Sequence, residues 1–454
     1  MPDSIALLQC LQPFLTATTL RQLDRITGAM LAMTGRVTML GISRWADRGG
    51  SYRSVQRFFQ TALPWATLLW VFFRQHVLRA DDVYLLAGDE VVVAKAGKST
   101  HGLDRFFAGV YGRVIPGLAF FTLALISTKD QRSYPIRIEQ VERSAEEKAA
   151  SQAKAAAKKA AHKTAKSGEA RKRGRPQGSK NKVSTEVSLS PELLRIQAMV
   201  MAQLKLIAGC MPLTYLVLDG HFGNHPAMHM VRACGLHLIS KLRHDAALYL
   251  PYDGPYQGHG PHRQYGDKLD YRQLPASCLK HSKREGQIET CIYQTQARHK
   301  EFRQPLNVVI ILKTNLQTQT RAHVILFSSD LTLDYEHVVA YYRLRFQIEF
   351  NFRDAKQYWG LDDFMNTSPT AVTNAANLAL FMVTFSERLL HRLRPADPEC
   401  SILDLKALCR GSKYVTETIK MLPEKPDPIL LARIFSRLAA LGRIHASQPT
   451  FSSP

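Results

Sequence analysis

Acidic side chains are scarce in this 454-residue chain: 38 Asp and Glu stand against 60 Lys and Arg, a formal net charge of +22. An excess of that size points to a polyanionic partner, either nucleic acid or an anionic membrane surface. The sequence also lacks any uninterrupted apolar run near the length that spans a bilayer. Its start, MPDSIALLQCLQPFL, has neither the basic n-region nor the cleavage site of a secretory signal. Both absences favour nucleic acid over a membrane. Cysteine is sparse and unpatterned, seven residues with no C-x-x-C pair. That leaves no support for a zinc ribbon or a redox motif, and the cysteines read as small hydrophobes in a reducing cytosol. Core material is not lacking: 45% of the residues are hydrophobic, and the length suits about three domains of ordinary size.

Large apolar residues are missing altogether from 143–182, which contain no Val, Ile, Leu, Met, Phe, Tyr or Trp and so cannot bury a core face. The same 40 residues hold 13 Lys and Arg against 3 Glu, a net of +10 and nearly half of the whole excess. Ser144 and Glu147 form a possible capping box for a solvated helix at its start. Near its end, Arg173-Gly174-Arg175-Pro176 resembles the AT-hook core that lays arginines in a narrow minor groove, with a generic basic linker as the alternative.

Elsewhere the chain is punctuated. Residues 36–62 read as two short helices around a Gly-Gly turn, with Ser51 capping the second and Arg53 and Arg57 on its outer face, as in a helix-turn-helix. Residues 81–97, 117–128 and 132–140 read as successive strands of an antiparallel meander. A helix follows, capped by Ser190 with Pro191 at its first position, then the buried strand LTYLVLDG (213–220) and HLISKL (237–242). Strands alternating with helices predict an α/β core. A strand-rich block occupies about 246–328, and helical patterns return beyond 393.

Against this background three acids stand out. Asp89 interrupts an apolar strand, where a lone carboxylate is costly unless paired or bound to a metal. Asp219 ends another strand, at the carboxyl edge where ligands commonly sit in α/β sheets. Glu349 lies in YYRLRFQIEFNFRDAKQYWGL (341–361). On one helix turning 100° per residue, Tyr342, Arg345, Glu349 and Lys356 would project within roughly 60° of one another. A solvated charged face is the usual fate of such a stripe; a helix laid against a polyanion, with one carboxylate aimed at a cation, is the sharper reading. Should the acids converge, two carboxylates about 4 Å apart would repel by roughly 4 kcal/mol at an effective dielectric near 20. An oxygen-only ligand set that offsets this selects Mg²⁺ or Mn²⁺.

The frame Tyr342-x2-Arg345-x3-Glu349-x6-Lys356 resembles the Y-R-E-K signature of bacterial insertion-sequence transposases of the DDE class. AGDEVVVAKAGKSTHGLDRFF resembles that family's segment around its first aspartate, and VLDGHFGN the segment around its second. The likeness runs from about residue 30 to about 390. It implies an α/β fold: an RNase H-like mixed-sheet catalytic domain over 81–392, with Asp89 on its first strand, Asp219 after its fourth and Glu349 on a following helix. That domain would be interrupted by the basic insert 143–189 and a β-rich insertion 246–328. A helical DNA-binding segment 1–80 would precede it and a helical segment 393–454 follow.

The resemblance further implies a cytoplasmic, nucleoid-associated bacterial enzyme that binds terminal inverted repeats of double-stranded DNA. It would pair two ends as a homodimer and cut and rejoin strands with two Mg²⁺ (or Mn²⁺) ions held by Asp89, Asp219 and Glu349. Tyr342, Arg345 and Lys356 would contact phosphates. There are departures. Glu90 stands beside the first aspartate, and no Trp occurs between 246 and 328 to stack on a flipped base, so the hairpin route is not carried over. His101 and His221 flank the two aspartate motifs and read as packed neighbours rather than ligands. A silent DNA-binding relative and a nuclease without strand transfer remain the alternatives.

Overall fold

The computed structural model describes residues 4–46, 49–150, 152–153, 156, 187–256, 258, 261–395, 397–424 and 426–441. Arg173 and Arg175, and with them the AT-hook-like segment, lie outside the described residues. The chain forms two compact units: Met1–Gln140 with Ala202–Leu213 and Tyr341–Pro454, and Val141–Met201 with Thr214–Ala340.

The first unit begins with helices α1 (Ser4–Leu8), α2 (Ala17–Ala32), α3 (Met39–Trp45), α4 (Tyr52–Gln60) and α5 (Trp65–His76). Thr16, Thr38 and Ser51 cap α2, α3 and α4 by accepting from the amides of Thr19, Gly41 and Ser54, each satisfying a donor the helix start leaves open. α3 and α4 are the two helices expected around the Gly-Gly turn, and Arg53 and Arg57 are exposed on α4.

Four strands follow: β1 (Tyr84–Ala94), β2 (Asp104–Ala108), β3 (Arg113–Ser127) and β4 (Arg132–Gln140). β1, β2 and β4 each pair antiparallel with β3. The near-continuous apolar run of β3 is buried along almost its whole length, the pattern of a strand covered on both faces. Gly117 lies against β1 with no room for a side chain, since a Cβ there would collide with the Val93 carbonyl oxygen. β2 was not foreseen from the sequence. It adds a strand before β3, so Asp219 follows the fifth strand of the chain rather than the fourth.

The unit closes with α9 (Gln347–Tyr358), α10 (Pro369–Leu393), α11 (Ile402–Met421) and α12 (Pro428–Ala440). α10 is buried over most of its length and carries the core: Phe381 packs edge-on against Phe72 at 5.0 Å and stacks on Phe385 at 5.7 Å. Each fully buried phenylalanine contributes about 1.5–3 kcal/mol.

In the second unit, Ser144 and Glu147 form the expected capping box: Ser144 N donates to Glu147 Oε2 (2.8 Å) and Glu147 N to Ser144 Oγ (3.1 Å). Arg195 pairs with Glu147 at 2.8 Å from α6 (Pro191–Ile207), whose cap is Ser190. β5 (Tyr215–Val217) leads through α7 (His225–Ala233) to β6 (His237–Leu242), parallel to β5, a βαβ crossover. The strand-rich block supplies β7 (Leu248–Pro251), β8 (Tyr265–Lys268), β9 (Leu279–Glu285), β10 (Ile288–His299), β11 (Leu306–Asn315) and β12 (Arg321–Ser328). They extend the sheet antiparallel in the order β6-β12-β11-β10-β7-β8, with β9 also on β10. α8 (Tyr335–Leu344) follows β12. No helix among the described residues is long and apolar enough to cross a membrane.

Candidate active site

The stripe expected on one helix is broken. Tyr342 lies near the end of α8, Arg345 in the following turn, and Glu349 and Lys356 on α9. At the break the bonds are i to i+3: Phe346 N to Arg343 O (3.2 Å), Ile348 N to Arg345 O (3.1 Å) and Glu349 N to Phe346 O (3.1 Å). Such a turn winds about 120° per residue instead of 100°, so it shifts the angular frame read from the sequence.

The turn places Arg345 between two acids of the first unit. Its Nη1 donates to Asp89 Oδ2 (3.2 Å) and its Nη2 to Glu349 Oε1 (3.0 Å). The guanidinium side chain is only 14% exposed, and its Nε is buried without a hydrogen-bond partner. Burial lowers the pKa of Arg345, but Asp89, the hydrogen bond to Glu349 and the charges of Tyr342 and Glu349 outweigh it, and the net shift is upward. Asp89 sits mid-strand, opposite Thr122 of β3, and is partly buried, while Glu90 is exposed. Glu349, at 41% exposed, opens to solvent from the first turn of α9, where the helix dipole favours negative charge.

Lys356 is tied to the same strand from the far end of α9. Its Nζ donates to Val92 O at 2.7 Å and lies 3.6 Å from Asp362 Oδ1. Lys95 donates to the Asp362 and Phe364 carbonyls (3.2 and 2.7 Å) and stands 3.6 Å over the Phe364 ring. Burial pulls its pKa down to about 8. Neither the Val92 carbonyl nor the Lys95 anchor was foreseen, since backbone acceptors leave no mark in a sequence. Asp89, Glu349 and Lys356 line a cleft of about 760 Å³, together with Phe107, Val110 and Arg353.

Asp219 belongs to the second unit. It follows β5 after Leu218 and caps the short turn Gly220–Phe222, its Oδ1 accepting from His221 N at 3.1 Å. Its backbone oxygen accepts from Ser240 Oγ of β6 at 2.7 Å. Gly223 lets this loop close on β6, because a Cβ there would strike the Lys241 carbonyl. The carboxylate is therefore fixed at the C-terminal end of a parallel strand, partly exposed. His221 Nε2 lies 3.5 Å from Glu192 of α6, and the His101 amide donates to Thr367 O at 3.0 Å.

Asp89 and Glu349 present only oxygen, the donor type of Mg²⁺ and Mn²⁺. They already share one cation, the Arg345 guanidinium, so the position between them suits positive charge. Among the described residues no group of three or more His, Cys, Asp and Glu is arranged to hold a metal ion.

A partly buried carboxylate pair on β1 and the adjoining α9, in a mixed α/β chain with a strong positive excess, suits a polyanionic partner. A family model described as DDE superfamily endonuclease matches residues 7–304, and the chain belongs to that family. The family consists of nucleic-acid-cleaving enzymes with an RNase H-like domain, and its substrate is DNA. The match takes in Asp89 and Asp219 and ends before Glu349, so it does not reach the Tyr342–Lys356 frame. Comparison with curated proteins returned no match.

Proposed function

We propose that the chain is a DNA transposase of an insertion sequence, which binds terminal inverted repeats, cleaves phosphodiester bonds and transfers the freed 3′-OH to target DNA. The observation that carries this reading is the pair Asp89 and Glu349, drawn from β1 and α9 onto one guanidinium at a cleft.

Asp89, Asp219 and Glu349 would hold two Mg²⁺ or Mn²⁺ ions, which when bound supply an activated water or hydroxyl nucleophile and charge stabilisation for the leaving oxygen. Arg345 offers a planar fork suited to a phosphate, and Lys356 a point charge. Tyr342 adds a hydroxyl donor. Arg53 and Arg57 on α4, and Arg173 and Arg175 in the basic segment, serve as backbone contacts that set register on the duplex. The domain reading is the one drawn from sequence: helical DNA-binding residues 1–80, the catalytic domain 81–392 with inserts 143–189 and 246–328, and helical 393–454. Two protomers pair two ends in the cytoplasm, at the nucleoid.

Asp89→Ala is expected to abolish nicking of a plasmid that carries the flanking repeats, with Mg²⁺ present, while duplex binding in a gel-shift assay stays within about twofold of wild type. Cutting that survives the substitution removes Asp89 from the mechanism. Cleavage without joined products makes the protein a nuclease rather than a transposase.

A further inference from the structure

The hairpin formed by β2 and β3 carries apolar side chains where a soluble surface has little use for them. Phe107 is 63% exposed and Val110, in the turn, 93%; Tyr111 and Val114 are exposed as well. The register explains the pattern. Phe106 pairs with Ile115 on the buried face, while Phe107 pairs with Val114 on the outer one. Gly112 closes the turn in the left-handed region at φ 59°. Four large apolar residues within eight positions form a contiguous exposed patch, which in a soluble protein marks an interaction site.

Two features of the surroundings select the occupant. Phe107 and Val110 line the same cleft as Asp89 and Glu349. Arg105, two residues before Phe107 and so on the same face, and Arg113 at the turn are both exposed. A second copy of this basic chain would bring like charge against those arginines, whereas DNA brings the opposite charge. We propose that the β2–β3 tip is a wedge: Phe107, Val110 and Tyr111 enter the duplex beside the bond to be cut and unstack a base step, while Arg105 and Arg113 hold the flanking phosphates. Apolar side chains inserted between base steps kink and open DNA in this manner. An opened step lets one strand follow the cleft to the carboxylates. The inference rests on the cleavage reading above but can fail separately from it.

The test uses the full chain and a synthetic duplex taken from the DNA that flanks its gene, with 2-aminopurine placed at successive positions. A second duplex carries mismatches at the same steps. Because the three residues are exposed, Phe107→Ser, Val110→Ser and Tyr111→Ser combined leave the core untouched. Asp89→Ala protein, which still carries the hairpin, is expected to raise 2-aminopurine fluorescence at one or two adjacent positions, and the same protein with the triple substitution is not. With Mg²⁺, the triple variant of the otherwise wild-type chain is expected to cut the paired duplex at least about tenfold more slowly than wild type and the mismatched duplex at the wild-type rate. Equal rates on both duplexes, no local fluorescence change with the intact hairpin, or a shift in sedimentation on substitution would overturn the proposal, the last by showing that the patch joins two copies. If the wild-type chain cuts neither duplex, the cleavage reading falls, and the fluorescence arm still decides the wedge.

Discussion

Single side chains hold positions that their type alone would not announce. Lys406 of α11 is buried, donates to Met30 O at 2.7 Å and lies 4.6 Å over the Trp359 ring. With Arg410, which donates to Ala32 O at 3.0 Å, it caps the last turn of α2, where free carbonyls favour a cation. Burial, with Arg410 adding to it, brings the Lys406 pKa down to about 8. Between that pH and the ordinary lysine value the folded chain has released a proton that the unfolded chain still holds, so this group adds stability as pH rises through the interval. In urea unfolding, wild type is expected to gain on Lys406→Met between about pH 7.5 and 10, by up to about 3 kcal/mol. A constant difference would mean that Lys406 keeps its charge throughout. Nothing in LKALCRGSK distinguishes this lysine from a solvated one, because its burial depends on helices that arrive from the other end of the chain. Asp89 and Asp219 were legible for the opposite reason: a carboxylate inside or just beyond an apolar strand contradicts its surroundings, and that contradiction is local.

Among the elements, α10 shows how a buried polar residue can join two others. Asn374 Oδ1 accepts from Trp65 Nε1 (2.7 Å), and its Nδ2 donates to the Phe59 and Thr61 carbonyls (2.7 and 2.8 Å), fixing the link between α4 and α5. Asn374→Ala strands one buried donor and two carbonyls, so a loss of about 2–3 kcal/mol is expected, read as a lowered melting temperature. Unchanged melting would show that water replaces the amide. The helix starts at Ser51 and Ser190 were readable because caps are local chemistry, β1 and β3 because their apolar runs are long, and β4 because Tyr134, Ile136 and Ile138 alternate along it. The break at Arg345 was not. The apolar period runs on through 341–361, and only the tightened turn, with Arg345 reaching back to β1, interrupts it. β2 escaped notice because its outward Phe107 spoils the alternation that identifies a half-buried strand.

For the molecule as a whole, charge is distributed unevenly along the chain. Residues 151–182 carry 11 Lys and Arg against one Glu. Deleting them is expected to weaken DNA binding and to flatten the slope of log affinity against log salt, since fewer counterions are displaced. An unaltered slope would show that this stretch does not meet the backbone. The bridge at Arg345 has a consequence of its own. A guanidinium that neutralises two acids also competes with any other cation offered to them. Under the proposed reading, a DNA strand in the cleft would give that planar fork a new anion to hold as the ions arrive, so substrate and metal would each ease the other's binding.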